Sequence, residues 1–249
     1  LNIHGDRYPY VASFTGLMSL VPSELRVEVG KRGGNAHLAD DDLADRIKAG
    51  IEEHMASLGG PDKVMFAPLD PVPEIDGRRL SEVAEERRQE PWRTTVELLT
   101  GPDRISCIYF TMKEENVQTF MRHPAVFAGS DGHLRVFGKG VPHPRNYGTF
   151  PRWVGHYGRD LGLFTVQEVV RKTAAMPAEK FGLHDRGLLA SRRYADIVVF
   201  SWEGILDGAT FEDQHQYPSG IPHVIVAGKR AVTDGANEPE SHGRALRLS

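Results

Sequence analysis

Val126-Phe127-Ala128-Gly129-Ser130-Asp131-Gly132 is the stretch whose reading decides the fold. Three apolar residues make a short strand, and two glycines flank an aspartate just past its end. In a parallel α/β barrel the C-terminal ends of the strands form the active face. An aspartate placed there binds a metal, or accepts a proton from a metal-bound water. Aspartate is also a common turn former that bonds only to nearby backbone amides. The local sequence alone leaves both readings of Asp131 open.

Outward from this stretch, strand and helix alternate. Lys113 to Arg122 predicts a helix with Val117, Phe120 and Met121 on one side, and Ile105 to Phe110 predicts a strand. Ser81 to Gln89 and Trp92 to Leu99 read as helices, the second with Pro91 near its first turn. Lys63 to Ala67 reads as a strand, followed by an extended linker at Pro68, Pro71 and Pro73. Asp40, Asp41 or Asp42 is expected to cap a helix from Leu43 to Ser57, where Leu43, Ile47, Ile51 and Met55 recur every four residues. Leu1 to His4 reads as a strand from the first residue, so a segment is expected to precede Leu1. The alternation favours an α/β fold with parallel strands. Residues 1–182 are assigned to it.

Downstream, Thr165 and Glu168 have the spacing of a capping box for a helix from Val166 to Ala175. The character then changes. Ala195 to Phe200 and His223 to Ala227 predict strands, the second turning through Gly228-Lys229 into a hairpin. Residues 183–249 are therefore assigned to a small β appendage.

Composition narrows the function classes. A net charge of -4 over 249 residues, with no basic stripe, argues against a nucleic-acid partner. No apolar run reaches the length of a membrane helix, which argues against a membrane partner. A single cysteine, Cys107, rules out an intrachain disulfide and reads as a buried thiol. The lack of a visible export signal gives a cytoplasmic expectation. With 26 glycines and 16 prolines the chain is rich in tight turns, as barrels and strand-rich appendages are.

Chemistry concentrates after Asp131. Pro142-His143-Pro144-Arg145-Asn146-Tyr147-Gly148-Thr149-Phe150-Pro151-Arg152 reads as a rigid, aromatic and cationic loop. Such a loop suits anion recognition, and Arg145 can grip a carboxylate through both guanidinium nitrogens. A structural salt bridge is the plainer use of the same arginine.

Together these runs resemble the N-acyl-D-amino-acid deacylases (D-aminoacylases) of the amidohydrolase superfamily. The resemblance starts at Tyr8-Pro9-Tyr10. It continues through Gly129 to Gly132, His143-Pro144-Arg145 and Tyr147 to Arg152. It goes on through Phe181-Gly182-Leu183, Asp185-Arg186-Gly187 and Ala195 to Phe200, and ends at Val226-Ala227-Gly228. It implies the C-terminal part of a (β/α)8-type metal-dependent hydrolase barrel with a small β-sandwich, and an insertion around 25–100 that serves as a lid. It implies zinc-dependent hydrolysis of a small N-acyl amino acid, with one or two ions. Asp131 falls on the catalytic aspartate, also a metal ligand, and Arg145 on the residue that grips the substrate carboxylate. Tyr8 is expected to line the substrate pocket, although packing beneath the loop serves equally. No His-x-His pair occurs in the chain, so most metal ligands are expected upstream of Leu1. For the one ligand expected before Tyr8, His4 is the candidate and Asp6 the alternative. Three alternatives remain: a metal-free half-barrel acting as a subunit or remnant, a cyclic-amide hydrolase, and a homo-oligomer that completes the site.

Overall fold

The computed structural model of the protein describes residues 1–246. Its strands are β1 (Gly5–Arg7), β2 (Ser13–Gly16), β3 (Val64–Phe66), β4 (Ser106–Tyr109), β5 (Val126–Ala128), β6 (Ile197–Val199), β7 (His223–Val226), β8 (Lys229–Thr233) and β9 (Ala236–Asn237). Its α-helices are α1 (Ser23–Arg32), α2 (Ala44–Leu58), α3 (Leu80–Glu86), α4 (Pro91–Thr100), α5 (Glu114–Arg122), α6 (Arg145–Arg152), α7 (Val166–Val170) and α8 (Met176–Lys180).

The chain forms two compact units. The larger holds Leu1–Tyr10, Glu114–Leu134 and Pro144 onward; the smaller holds Val11–Lys113 and Arg135–His143. The β-rich residues from 183 onward fall in the larger unit with β1 and β5, and residues 25–100 fall in the smaller.

In the smaller unit β4 is the central strand, antiparallel to both β2 and β3. That corrects the expectation of parallel strands for this part of the chain. The pairing Ser13↔Tyr109 to Gly16↔Ser106 joins segments about ninety residues apart, which no local signal announces. Ile47, Ile51 and Met55 of α2 are buried with Phe66, Leu80 and Cys107 in one apolar cluster, as their spacing predicts. Burying each such side chain contributes roughly 1.5–3 kcal/mol. Leu43, not an aspartate, precedes α2, and no side chain caps it. Asp40 and Asp42 instead hold the Arg32 guanidinium at 3.1 and 2.8 Å, a charge pairing that competes with the capping role.

Cys107 is fully buried on β4, and burial pushes its thiol well above the usual range. The native chain should therefore leave a thiol reagent such as DTNB unreacted for hours. It should release one equivalent at once in guanidinium, and rapid native labelling would contradict the β4 packing.

The larger unit carries two sheets. β1 and β5 pair in parallel, with Gly5↔Val126, Asp6↔Phe127 and Arg7↔Ala128 in register. β6 to β9 form an antiparallel sheet in sequence order, with the expected hairpin at β7–β8. The first strand starts at Gly5, so Leu1 to His4 lies outside it. Thr165 and Glu168 form the predicted capping box, with Thr165 Oγ1 accepting from the Glu168 amide at 3.2 Å. Lys172 lies beneath β5 and donates to the carbonyls of His123 and Val126 at 2.8 and 2.6 Å. Residues 145–152, expected as a loop, form α6, which runs on into π-helical turns over Trp153–Asp160.

Candidate active site

Parallel pairing brings the C-terminal ends of β1 and β5 together. Tyr8 leaves one and Gly129-Ser130-Asp131 leaves the other, and the Gly129 amide donates to the Arg7 carbonyl at 3.2 Å. Asp131 sits at φ 45°, a left-handed conformation that aspartate tolerates better than most residues. The turn is tied down on both sides. The Gly132 amide donates to Ser130 Oγ at 3.1 Å, and the His133 amide to Asn146 Oδ1 on α6 at 2.7 Å.

Arg145, the first residue of α6, meets Asp131 here. Its Nη2 lies 2.9 Å from Asp131 Oδ2. Its guanidinium stands 4.7 Å above the Tyr8 ring, and that of Arg7 stands 4.8 Å from the same ring. The Arg145 side chain is 2% exposed and that of Asp131 is 63% exposed. A fixed, desolvated cation thus presents itself to a carboxylate that reaches solvent. Burying a guanidinium is costly unless it is paired, so the site is poised to hold an anion. Tyr8, expected in the pocket wall, is in contact with both arginines of this cluster.

Alternation along β1 puts His4, Asp6 and Tyr8 on one face. His4 precedes the strand, with its ring 6.1 Å from Phe127 and its Nδ1 buried without a hydrogen-bond partner. Four residues of extended chain span roughly 13 Å, so His4 lies far from the end where Asp131 emerges. His4 thus stands before β1, and Asp131 past the C-terminal end of β5. Of the two alternatives, Asp6 stands nearer the Asp131 end. Its carboxylate fills the space where a Gly129 Cβ would be, so this close approach requires glycine at 129. Among the described residues, no group of three or more His, Cys, Asp or Glu side chains is arranged to hold a metal ion. A zinc site uses three or four protein ligands. Asp131 with His4 or Asp6 falls short of that set.

Behind the pair lies a network that sequence reasoning missed. Asp207, almost fully buried, accepts from Arg152 Nη1 at 3.0 Å and from the Tyr10 hydroxyl at 3.5 Å. Arg152 Nε also donates to the Pro9 carbonyl at 2.9 Å, and Trp153 Nε1 to the Arg7 carbonyl at 3.2 Å. The end of α6 thereby fixes the Tyr8-Pro9-Tyr10 backbone. Burial, reinforced by Asp207, pushes the Tyr10 hydroxyl far above its usual range, so Tyr10 is a structural donor. Arg152 was legible within the motif; Asp207, 55 residues on, carries no local signal. His143 is buried in the smaller unit and bonds to the Ala12 carbonyl at 3.0 Å. His215 meets the Tyr147 hydroxyl at 3.0 Å. Both hold backbone or ring in place.

Burial, helped by the Arg152 charge, holds the His156 imidazole below the 6.5 of the free side chain, against the opposing pull of Asp207, Glu114 and Asp160. An unfolded chain then binds more protons than the folded one just below that value, so stability is lost as pH falls through 6.5. Thermal unfolding at pH 7.5 and 5.5 should show this drop, and His156→Gln should reduce it. An equal drop in the variant would remove His156 as its source.

An amidohydrolase family profile matches residues 35–232. The chain belongs to the amidohydrolase family. It is 40% identical over 176 residues to a D-aminoacylase of Alcaligenes xylosoxydans xylosoxydans, covering 71% of this chain and 35% of that protein. It is 37% identical over 191 residues to an N-acyl-D-glutamate deacylase of the same organism, covering 75% of this chain and 36% of that one. The chain thus spans little more than a third of the length of these relatives. A D-aminoacylase crystal structure matches it with a TM-score of 0.71 at 32% identity, over 95% of this chain and 41% of the other. The N-acyl-D-glutamate deacylase of Bordetella bronchiseptica, complexed with zinc and a phosphonate mimic of the tetrahedral intermediate, matches with a TM-score of 0.68 at 28% identity, over 93% of this chain and 41% of the other. The chain shares part of the fold of these amidohydrolase structures.

Proposed function

We propose that the protein hydrolyses the amide bond of N-acyl-D-amino acids, with Asp131 moving the proton and Arg145 binding the substrate carboxylate. The observation that carries this reading is the buried Arg145 guanidinium, 2.9 Å from an exposed Asp131 at the C-terminal end of parallel strands. The relatives' names, D-aminoacylase and N-acyl-D-glutamate deacylase, support the substrate class. In this reading residues 1–182 form the C-terminal part of a barrel with its insertion, and residues 183–249 part of a small β-sandwich. Zinc, which the Bordetella structure contains, is the proposed metal. Its ligand set includes residues outside this sequence, with Asp131 and His4, or Asp6 in place of His4, as this chain's contributions. Bound zinc supplies polarisation of the scissile carbonyl.

The chain's own groups do the rest. The substrate carboxylate enters the Arg145 guanidinium beside the Tyr8 ring, in competition with Asp131. Once displaced, Asp131 is free to accept a proton from the attacking water. The water oxygen bonds to the acyl carbon. Asp131 then delivers the proton to the amide nitrogen as the C–N bond breaks, giving a carboxylic acid and a free D-amino acid. A substrate that lacks the carboxylate leaves Asp131 held by Arg145.

Release of free D-amino acid from N-acetyl-D-amino acids, with zinc added, tests the proposal. Turnover that vanishes in Asp131→Asn supports it. No turnover by this chain, either alone or with the remainder of a full-length relative supplied, rejects it. Turnover of a cyclic amide instead would favour a hydantoinase-like reading.

A further inference from the structure

A second concave site lies in the larger unit and shares no residue with the Asp131–Arg145 site. It is a cavity of about 870 Å³ between residues 182–193 and 244–246. Four arginines line it, Arg186, Arg192, Arg193 and Arg244, with His184 beside them and, among the described residues, Asp185 as the one carboxylate in its wall.

The four arginines differ in their commitments. Arg186 is mostly buried and pairs with Asp196 and with Asp185, the latter at 3.4 Å. Asp196 in turn accepts from the Ala227 amide at 2.7 Å, so Arg186 belongs to the architecture of the β6–β7 sheet. Arg192, Arg193 and Arg244 have no carboxylate partner among the described residues. The Arg244 guanidinium stands 4.8 Å from the Tyr194 ring and that of Arg186 stands 4.5 Å from it. The Tyr194 ring thus positions Arg244 near the cavity, while the Arg186 charge is already balanced by Asp196 and Asp185.

Arg192 supplies a separate observation. Its φ is 65°, in the left-handed region where glycine sits without cost and a long side chain does not. A strained backbone at a cavity wall is a pointer to function. Here the strain places a guanidinium where glycine would place nothing. Guanidinium nitrogens match the oxygens of phosphate in pairs, and the volume falls within the usual range for small-molecule sites.

We propose that this cavity is a binding site for a phosphorylated small molecule, held by Arg192, Arg193 and Arg244. The test uses thermal unfolding of the chain in inorganic phosphate, and in pyrophosphate, against sodium chloride at equal ionic strength. The expected result is a Tm about 3 °C or more higher in 10 mM phosphate, and a larger rise in pyrophosphate. Phosphate also stabilises proteins by exclusion from their surface, so the variants decide. Arg193→Ala with Arg244→Ala should abolish the excess over chloride, whereas Arg26→Ala, in the smaller unit, should keep it. Arg192→Gly should raise Tm without phosphate by about 2–4 °C, through relief of the backbone, and should weaken the phosphate response. A phosphate response that survives in the double variant overturns the proposal, as does one no greater than that of chloride. A response to RNA or anionic vesicles but not to pyrophosphate would also overturn it, in favour of an extended polyanion. None of these measurements depends on hydrolytic activity, so their failure leaves the deacylase reading untouched.

Discussion

Asp131→Asn should lower kcat for N-acetyl-D-amino acid hydrolysis about 1,000-fold while leaving KM within a few-fold. General acid–base transfer contributes typically 10²- to 10⁴-fold, and asparagine neither accepts nor returns the proton. Asparagine is the informative substitute here. It has the shape of aspartate and tolerates the left-handed φ of 45° at this position, whereas alanine would add backbone strain to the chemical loss. The Arg145 guanidinium is buried, so removing the Asp131 charge beside it should also lower the Tm of the variant. Steady-state kinetics with thermal unfolding checks both halves. A variant with parent-like kcat would show that the proton moves elsewhere.

Arg145→Met should raise KM about 30- to 150-fold, the equivalent of about 2–3 kcal/mol for a charge-assisted hydrogen-bonded pair. Methionine fills much of the same volume beside Tyr8 without a buried charge, so the substitution should be close to neutral for stability. Lysine should recover only part of the loss. It restores the charge but cannot present two nitrogens to one carboxylate. A KM change confined to a few-fold would reduce Arg145 to a structural partner of Asp131.

The parts legible from the sequence were those set by local pattern. β5 and its turn follow from three apolar residues and two glycines. The buried face of α2 follows from its spacing, and the α7 cap from Thr165 and Glu168. Where tertiary contacts override propensity, the sequence misleads. Gly148 and Pro151 argue against a helix at 145–152, yet α6 contains both. Gly148 is needed because a Cβ there would collide with the Tyr10 hydroxyl and Asp207, so the network around Asp207 fixes a helix that propensity disfavours. The same holds for pairing. The antiparallel β2–β4–β3 sheet joins distant segments, and alternation of strand and helix gave it the wrong sense. At the site, Asp131 and Arg145 were visible as motif residues, but their contact was not. The meeting of the Tyr8 and Asp131 turns at one end of the β1–β5 pair was equally hidden, because it needs the strand register.

The most direct measurement compares an N-acetyl-D-amino acid with its carboxamide analogue, for the parent protein and for Arg145→Met. If Arg145 reads the free carboxylate, the parent should lose about 30- to 150-fold in kcat/KM on the carboxamide, by the same charge-pair magnitude. Arg145→Met should then treat the two substrates nearly alike, because the interaction that separates them is gone. An Arg145→Met variant that still prefers the carboxylate by the parent's factor would contradict the account, and would place carboxylate recognition on another residue.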